Sequence, residues 1–216
     1  MELLFVRHGE NLANLTKEFS YKKVDYDLTE KGFLQAEQTA ISLQNTKIDK
    51  IISSPLKRAI QTAERISDIA GVKIEINEQL REINVGILEN TKPSKENWKI
   101  YENVISDWNT GNLDSRFPGG ESGKELRARF KKAIESLLED KFDRVIVVGH
   151  AGIFINGIID ICELQKPMEF YSKDYHNCSI SKIEVEKIGV DTKFTLTAWG
   201  EVGHLTGKAA EFESWR

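Results

Sequence analysis

A chain of 216 residues, 40% hydrophobic and 30% charged, has the size and composition of one α/β domain, and no Pro-, Gly- or Ser-rich linker divides it. A net charge of -4 offers nucleic acid or an acidic membrane no general attraction, so an anion site has to be built locally. Cys162 and Cys178 are too few for a disulfide framework, and no Cys/His spacing suits a metal site. There is also no signal-peptide core or membrane-spanning run, so a reducing, cytoplasmic setting is expected.

The apolar run Leu3-Leu4-Phe5-Val6 reads as a buried central strand of a parallel sheet, and it ends in Arg7-His8-Gly9. That carboxyl edge is where open α/β sheets bind ligands. Thr29 then caps a helix predicted to reach about Gln44, with Phe33, Ala36, Ala40, Ile41 and Leu43 facing the core and Gly32 marking a close backbone approach. Asp49 to Ser53 is a second strand. Ser54 as N-cap and Pro55 at N1 open the next helix, placing Arg58 one turn in, able to reach back toward the strand end. Val72 to Ile76 forms a third strand, followed by Leu80-Arg81-Glu82-Ile83-Asn84-Val85-Gly86. Residues 89–120 are less regular. The spacing of Trp98, Tyr101, Ile105 and Trp108 predicts one packed helix there, in an insertion that serves as a lid over the strand-end crevice. An amphipathic helix is expected from Glu121 to Asp140. Arg144 to Gly149 then repeats the opening arrangement, an apolar strand ending in Gly149-His150, and an apolar helix from Ile153 to Cys162 follows. Ser179 to Glu186 and Phe194 to Trp199 alternate, as strands nearer the sheet edge do.

Alternating strands and helices imply parallel strands with right-handed crossovers, so successive strand ends share one edge. His8, Arg58 and His150 are thereby expected at one site, with Arg7 beside them and Glu82 as a candidate acid. Two imidazoles, two guanidiniums and a carboxylic acid suit phosphoryl transfer through a covalent phosphohistidine.

The chain resembles the histidine phosphatase superfamily, which includes the cofactor-dependent phosphoglycerate mutases. The resemblance rests on Val6-Arg7-His8-Gly9-Glu10 with Asn14, Leu28-Thr29-Glu30-Lys31-Gly32 with Gln35-Ala36, and Ser53-Ser54-Pro55-Leu56-Lys57-Arg58-Ala59 with Gln61-Thr62-Ala63. It continues through Leu80-Arg81-Glu82 with Gly86, Pro118-Gly119-Gly120-Glu121-Ser122 and Val148-Gly149-His150-Ala151-Gly152, in family order over nearly the whole chain. It implies a three-layer α/β/α sandwich with a mostly parallel central sheet. It further implies that His8 is the phosphorylated nucleophile, that Arg7, Arg58 and His150 bind the phosphoryl group with Asn14 as a lesser contact, and that Glu82 is the proton donor. Branches that take the acid from an Asp after the second His do not fit, because Ala151 follows His150.

Departures from the mutases bear on the reaction. Mutases carry Glu-Arg-His-Tyr-Gly around the acid, where this chain has Glu82-Ile83-Asn84-Val85-Gly86, and the paired arginines of their insertion are missing, leaving Arg116 and scattered lysines. Many family phosphatases have Gly-Gly and then an Arg after the second His, where this chain has Ala151-Gly152 and Asn156. The expectation is therefore one histidine phosphatase domain, 1–216, with its insertion at about 89–120, acting as a metal- and cofactor-independent phosphomonoesterase. Its partners would be a small phosphorylated metabolite and inorganic phosphate, not nucleic acid or membrane. The alternatives are a phosphoglycerate mutase and, outside enzymes, a phosphopeptide-binding protein without turnover.

Overall fold

The computed structural model describes residues 1–139, 141–165, 170 and 174–212. Its centre is a six-stranded sheet of β1 (Glu2–Arg7), β2 (Lys50–Ser53), β3 (Ile74–Ile76), β4 (Arg144–Gly149), β5 (Ile180–Ile188) and β6 (Asp191–Glu201), in the order β3-β2-β4-β1-β5-β6. β3, β2, β4 and β1 are mutually parallel, whereas β5 pairs antiparallel with β1 and β6 antiparallel with β5. The helices are α1 (Leu12–Thr16), α2 (Glu30–Ser42), α3 (Lys57–Ala70), α4 (Lys95–Asn109), α5 (Gly123–Glu135) and α6 (Ala151–Ile161).

β1 and β4 are apolar on both faces because both faces are covered. Their register sets Leu3 against Val145 and Phe5 against Val147. That face packs on Phe130 and Ile134 of α5 and on Phe154 and Ile158 of α6. The intervening Leu4, Val6, Ile146 and Val148 face Ala40 of α2 and Ala59, Ala63 and Ile66 of α3. The result is the expected α/β/α layering. Phe5 meets Phe154 edge-on, centroids 5.2 Å apart, and each ring so buried contributes about 1.5–3 kcal/mol.

Several boundaries differ from the sequence reading for physical reasons. α3 starts at Lys57 with Leu56, extended, in the cap position and no side-chain cap; Ser54 Oγ accepts from the Leu56 N–H at 3.4 Å and lies 2.7 Å from His150 Nε2. α5 begins after Ser122, which forms a reciprocal capping box with Glu125, so Glu121 lies outside the helix; Asp140 falls outside the described residues. α2 buries the small Gly32, Ala36 and Ala40 with Gln35 and Thr39, leaving Ile41 46% exposed. The small residues are needed there. A Cβ on Gly32 would stand 2.0 Å from the Glu10 carbonyl oxygen, so only glycine lets the loop after β1 lie on the helix. α1 was not anticipated; Asn11 and Asn14 build its own capping box. Among the described residues, no helix is long and apolar enough to cross a membrane.

Candidate active site

Arg7 and Gly149 are paired at the carboxyl ends of β1 and β4, so the next residue of each strand, His8 and His150, emerges side by side. Their ring centroids are 5.1 Å apart. His8 Nδ1 lies 2.7 Å from the Gly9 carbonyl oxygen, which can only accept, so Nδ1 carries the hydrogen. Nε2 then holds the lone pair and accepts from Arg58 Nε at 3.1 Å. Burial first, then the guanidiniums of Arg58 and Arg7, push the His8 pKa well below the ordinary 6.5. The ring is a neutral base with its lone pair on Nε2, held by Arg58.

Arg58 is buried at the start of α3 and fixed by the loop after α1, with Nη1 donating to Ser20 Oγ at 2.8 Å and Nη2 to the Ser20 carbonyl at 2.9 Å. That loop is itself gathered by Glu89, whose Oε1 accepts the backbone N–H groups of Tyr21 at 2.8 Å, Lys23 at 2.7 Å, Val24 at 3.2 Å and also Lys22. Arg7 donates through Nη1 to the Tyr175 carbonyl. Burial lowers the pKa of both arginines to about 10, still well above neutrality. Two buried cations therefore face one cavity. Asp25 Oδ1 stands 3.8 Å from Arg58 Nη1.

His150 is fully buried behind this arrangement. Its Nε2 lies 2.7 Å from Ser54 Oγ, and its Nδ1 has no hydrogen-bond partner among the described residues. Burial, then Arg58, His8 and Arg7, push its pKa well below 6.5 as well. Glu82 supplies the side-chain cap that α6 otherwise lacks. Its Oε2 accepts from Gly152 N–H at 3.0 Å and its Oε1 from Ile153 N–H at 2.9 Å, the place where a helix favours an anion. Asn14 accepts through Oδ1 from Asn11 N–H and from Asn177 Nδ2, both at 3.1 Å.

Arg7, His8, Asn14, Arg58 and Glu82 line a cavity of about 330 Å³, the size of a small-molecule site. Its apolar lining is Ile83, Val85 and Ile155 with Phe19, Trp98 and Tyr101. Of the six residues singled out in the sequence, five meet on that surface, and His150 lies against His8 beneath it.

Residues 3–200 match the sequence model of the histidine phosphatase superfamily, branch 1. The chain belongs to the histidine phosphatase superfamily. A probable phosphoglycerate mutase, GpmB of Shigella boydii, is 30% identical over 218 residues, with 98% of each chain covered. Bacillus stearothermophilus YhfR shares the fold at a TM-score of 0.80 and 23% identity, over 94% of this chain and 98% of that one. So does a phosphoserine phosphatase of Entamoeba histolytica in complex with 3-phosphoglyceric acid, at a TM-score of 0.76 and 23% identity, over 95% and 99%.

In this member of the histidine phosphatase superfamily, sequence reasoning missed the supports of the site. Ser54 touches His150 instead of serving as the N-cap of α3, Ser20 and Tyr175 offer backbone carbonyls to Arg58 and Arg7, and Glu89 takes backbone N–H groups on its carboxylate. Asn156 turns its Nδ2 back to the Gly152 carbonyl at 2.9 Å, and Ile155 faces the cavity in its stead. Arg116 pairs with Glu125 on the surface, away from the site.

Proposed function

We propose that the protein is a phosphomonoesterase that needs no metal and works in two steps. His8 Nε2 attacks phosphorus in line, forming the N–P bond as the ester P–O bond breaks, and Glu82 delivers its proton to the departing alkoxide. Water then attacks phosphorus while Glu82 takes back a proton; the N–P bond breaks, inorganic phosphate leaves and Nε2 regains its lone pair. Arg7 and Arg58 hold the phosphoryl oxygens as charge spreads over them, and Asn14 Nδ2 and His150 add donors. The arriving phosphate takes the place of His8 as the partner of Arg58, which frees the nucleophile.

The observation that carries this reading is a neutral imidazole with its lone pair on Nε2, set beside two guanidiniums and a carboxyl group in one cavity. A second reading, phosphoglycerate mutase, is favoured by the name of relatives 30% identical. Against it stand Ile83 and Val85, which put apolar side chains in the cavity wall where mutases of the family carry residues that grip a carboxylate. The test is a panel of phosphate monoesters, including p-nitrophenyl phosphate, assayed in excess chelator. Alongside it, interconversion of 3- and 2-phosphoglycerate is measured with the bisphosphorylated compound present. Hydrolysis in chelator with negligible interconversion is expected. Mutase turnover equal to or faster than hydrolysis would reverse the choice, and absence of any turnover would favour a phosphopeptide-binding role.

A further inference from the structure

Arg129 lies on α5 outside the cavity, yet all five of its guanidinium N–H groups go to the segment that carries Glu82 or to its partner Glu121. Nη1 donates to the carbonyls of Gln79 at 2.6 Å and Arg81 at 2.8 Å. Nη2 donates to the Glu82 carbonyl at 2.9 Å and to Glu121 Oε1 at 2.8 Å, and Nε to Glu121 Oε2 at 2.9 Å. Glu121 extends the grip. Its Oε1 accepts from Asn84 N–H at 2.7 Å, and its own N–H donates to the Asn84 carbonyl at 2.9 Å.

The pair is mostly buried, with side chains 15% and 10% exposed, and residues 81–85 form neither helix nor strand. No sheet ladder or helical turn therefore sets where Glu82 stands. Its main chain is placed by Arg129, and its carboxyl group meets the start of α6. Only a planar fork with five donors can join these carbonyls and a bidentate carboxylate at once; a lysine has three donors radiating from one atom.

We infer that Arg129 and Glu121 form a positioning pair that sets the Glu82 carboxyl at its distance from the leaving-group oxygen. This rests on the reading of Glu82 as the general acid. A misplaced acid harms a poor leaving group far more than a good one, and a displacement of about 1 Å suffices to cost on the order of a hundredfold in rate.

The test compares Arg129→Lys and Glu121→Gln with wild type on n-butyl phosphate and on p-nitrophenyl phosphate, using kcat/KM, which reports the step in which the ester bond breaks. Thermal melts identify the folded variants, and if Arg129→Lys does not fold, Glu121→Gln decides. The expected loss is at least about tenfold larger on the butyl ester than on the nitrophenyl ester, within the range general acids supply. Orthovanadate affinity should change by less than about twofold, since the arginines that hold the anion are untouched. In a Glu82→Gln background, either substitution should add no further loss on the butyl ester. Equal losses on the two esters, or full additivity with Glu82→Gln, would overturn the inference and leave the pair a purely structural clamp. If Glu82→Gln alone shows no dependence on the leaving group, the acid assignment itself fails, which is a separate result.

Discussion

At the residue scale the proposed mechanism turns on His8 Nε2, whose lone pair is fixed by the hydrogen bond that the other ring nitrogen makes to Gly9. His8→Ala should remove turnover while costing little stability, and brief mixing of wild type with substrate followed by an alkaline quench should trap acid-labile phosphate on His8. Label on Ser53 or Ser54, or an active His8→Ala protein, would refute the assignment. The two imidazoles also make an acid-side prediction. In the unfolded chain each takes a proton as the pH falls through about 6.5, whereas burial and the two guanidiniums keep His8 and His150 neutral in the fold. The unfolded state then binds more protons, so stability falls as the pH drops below that value, by up to about 1.4 kcal/mol per pH unit for each ring until the folded groups titrate. Melts of His8→Asn and His150→Asn between about pH 7.5 and 5 should show a shallower acid limb than wild type. His176 and His204, also lowered by burial, supply the slope that remains. That Arg7, His8, Arg58 and His150 would meet was legible because each stands at a predicted strand end or in the first turn of a helix, whereas Glu82, six residues beyond its strand, was pointed to by the family motif alone. Arg129, Glu121 and Glu89 were not legible, since a side chain that grips backbone amides leaves no pattern of residue types to read.

At the scale of elements, the parallel strands and their order of chemistry could be read from unbroken apolar runs, because burial on both faces removes the alternation that would otherwise mark a strand. Helix starts were read less well where a polar residue had two possible partners. Ser54 beside Pro55 has the pattern of a cap, yet His150, distant in sequence, holds it. The insertion was recognised as a packed helix, and α4 does bury Val104 and Trp108 against Phe117 and Leu126. Trp98 and Tyr101 pack on Phe19, with centroids 4.7 and 5.3 Å from it, and all three face the cavity. We propose that α4 is the wall on which the leaving group rests. Trp98→Ala should then raise KM for aryl phosphates several-fold while leaving inorganic phosphate affinity near wild type. An unchanged KM across aryl and alkyl esters would confine Trp98 to packing.

For the molecule as a whole, β4 lies between β2 and β1, so the strand that leads to Arg58 and the strand that ends at His8 have no direct pairing with each other. The partners of β4 are made earlier in the chain, and their contacts with it span long stretches of sequence, the kind of pairing that closes slowly. Refolding from denaturant should accordingly return the proposed phosphatase activity in the same phase that protects the backbone amides of β4 from exchange, with none in earlier phases. Activity preceding that protection would show that the site assembles without the middle strand. The biological consequence concerns synthesis. A ribosome-bound chain that has not yet released Arg144 to His150 has neither the middle strand nor the second imidazole of the site, so whatever chemistry the site performs arrives late and in one step.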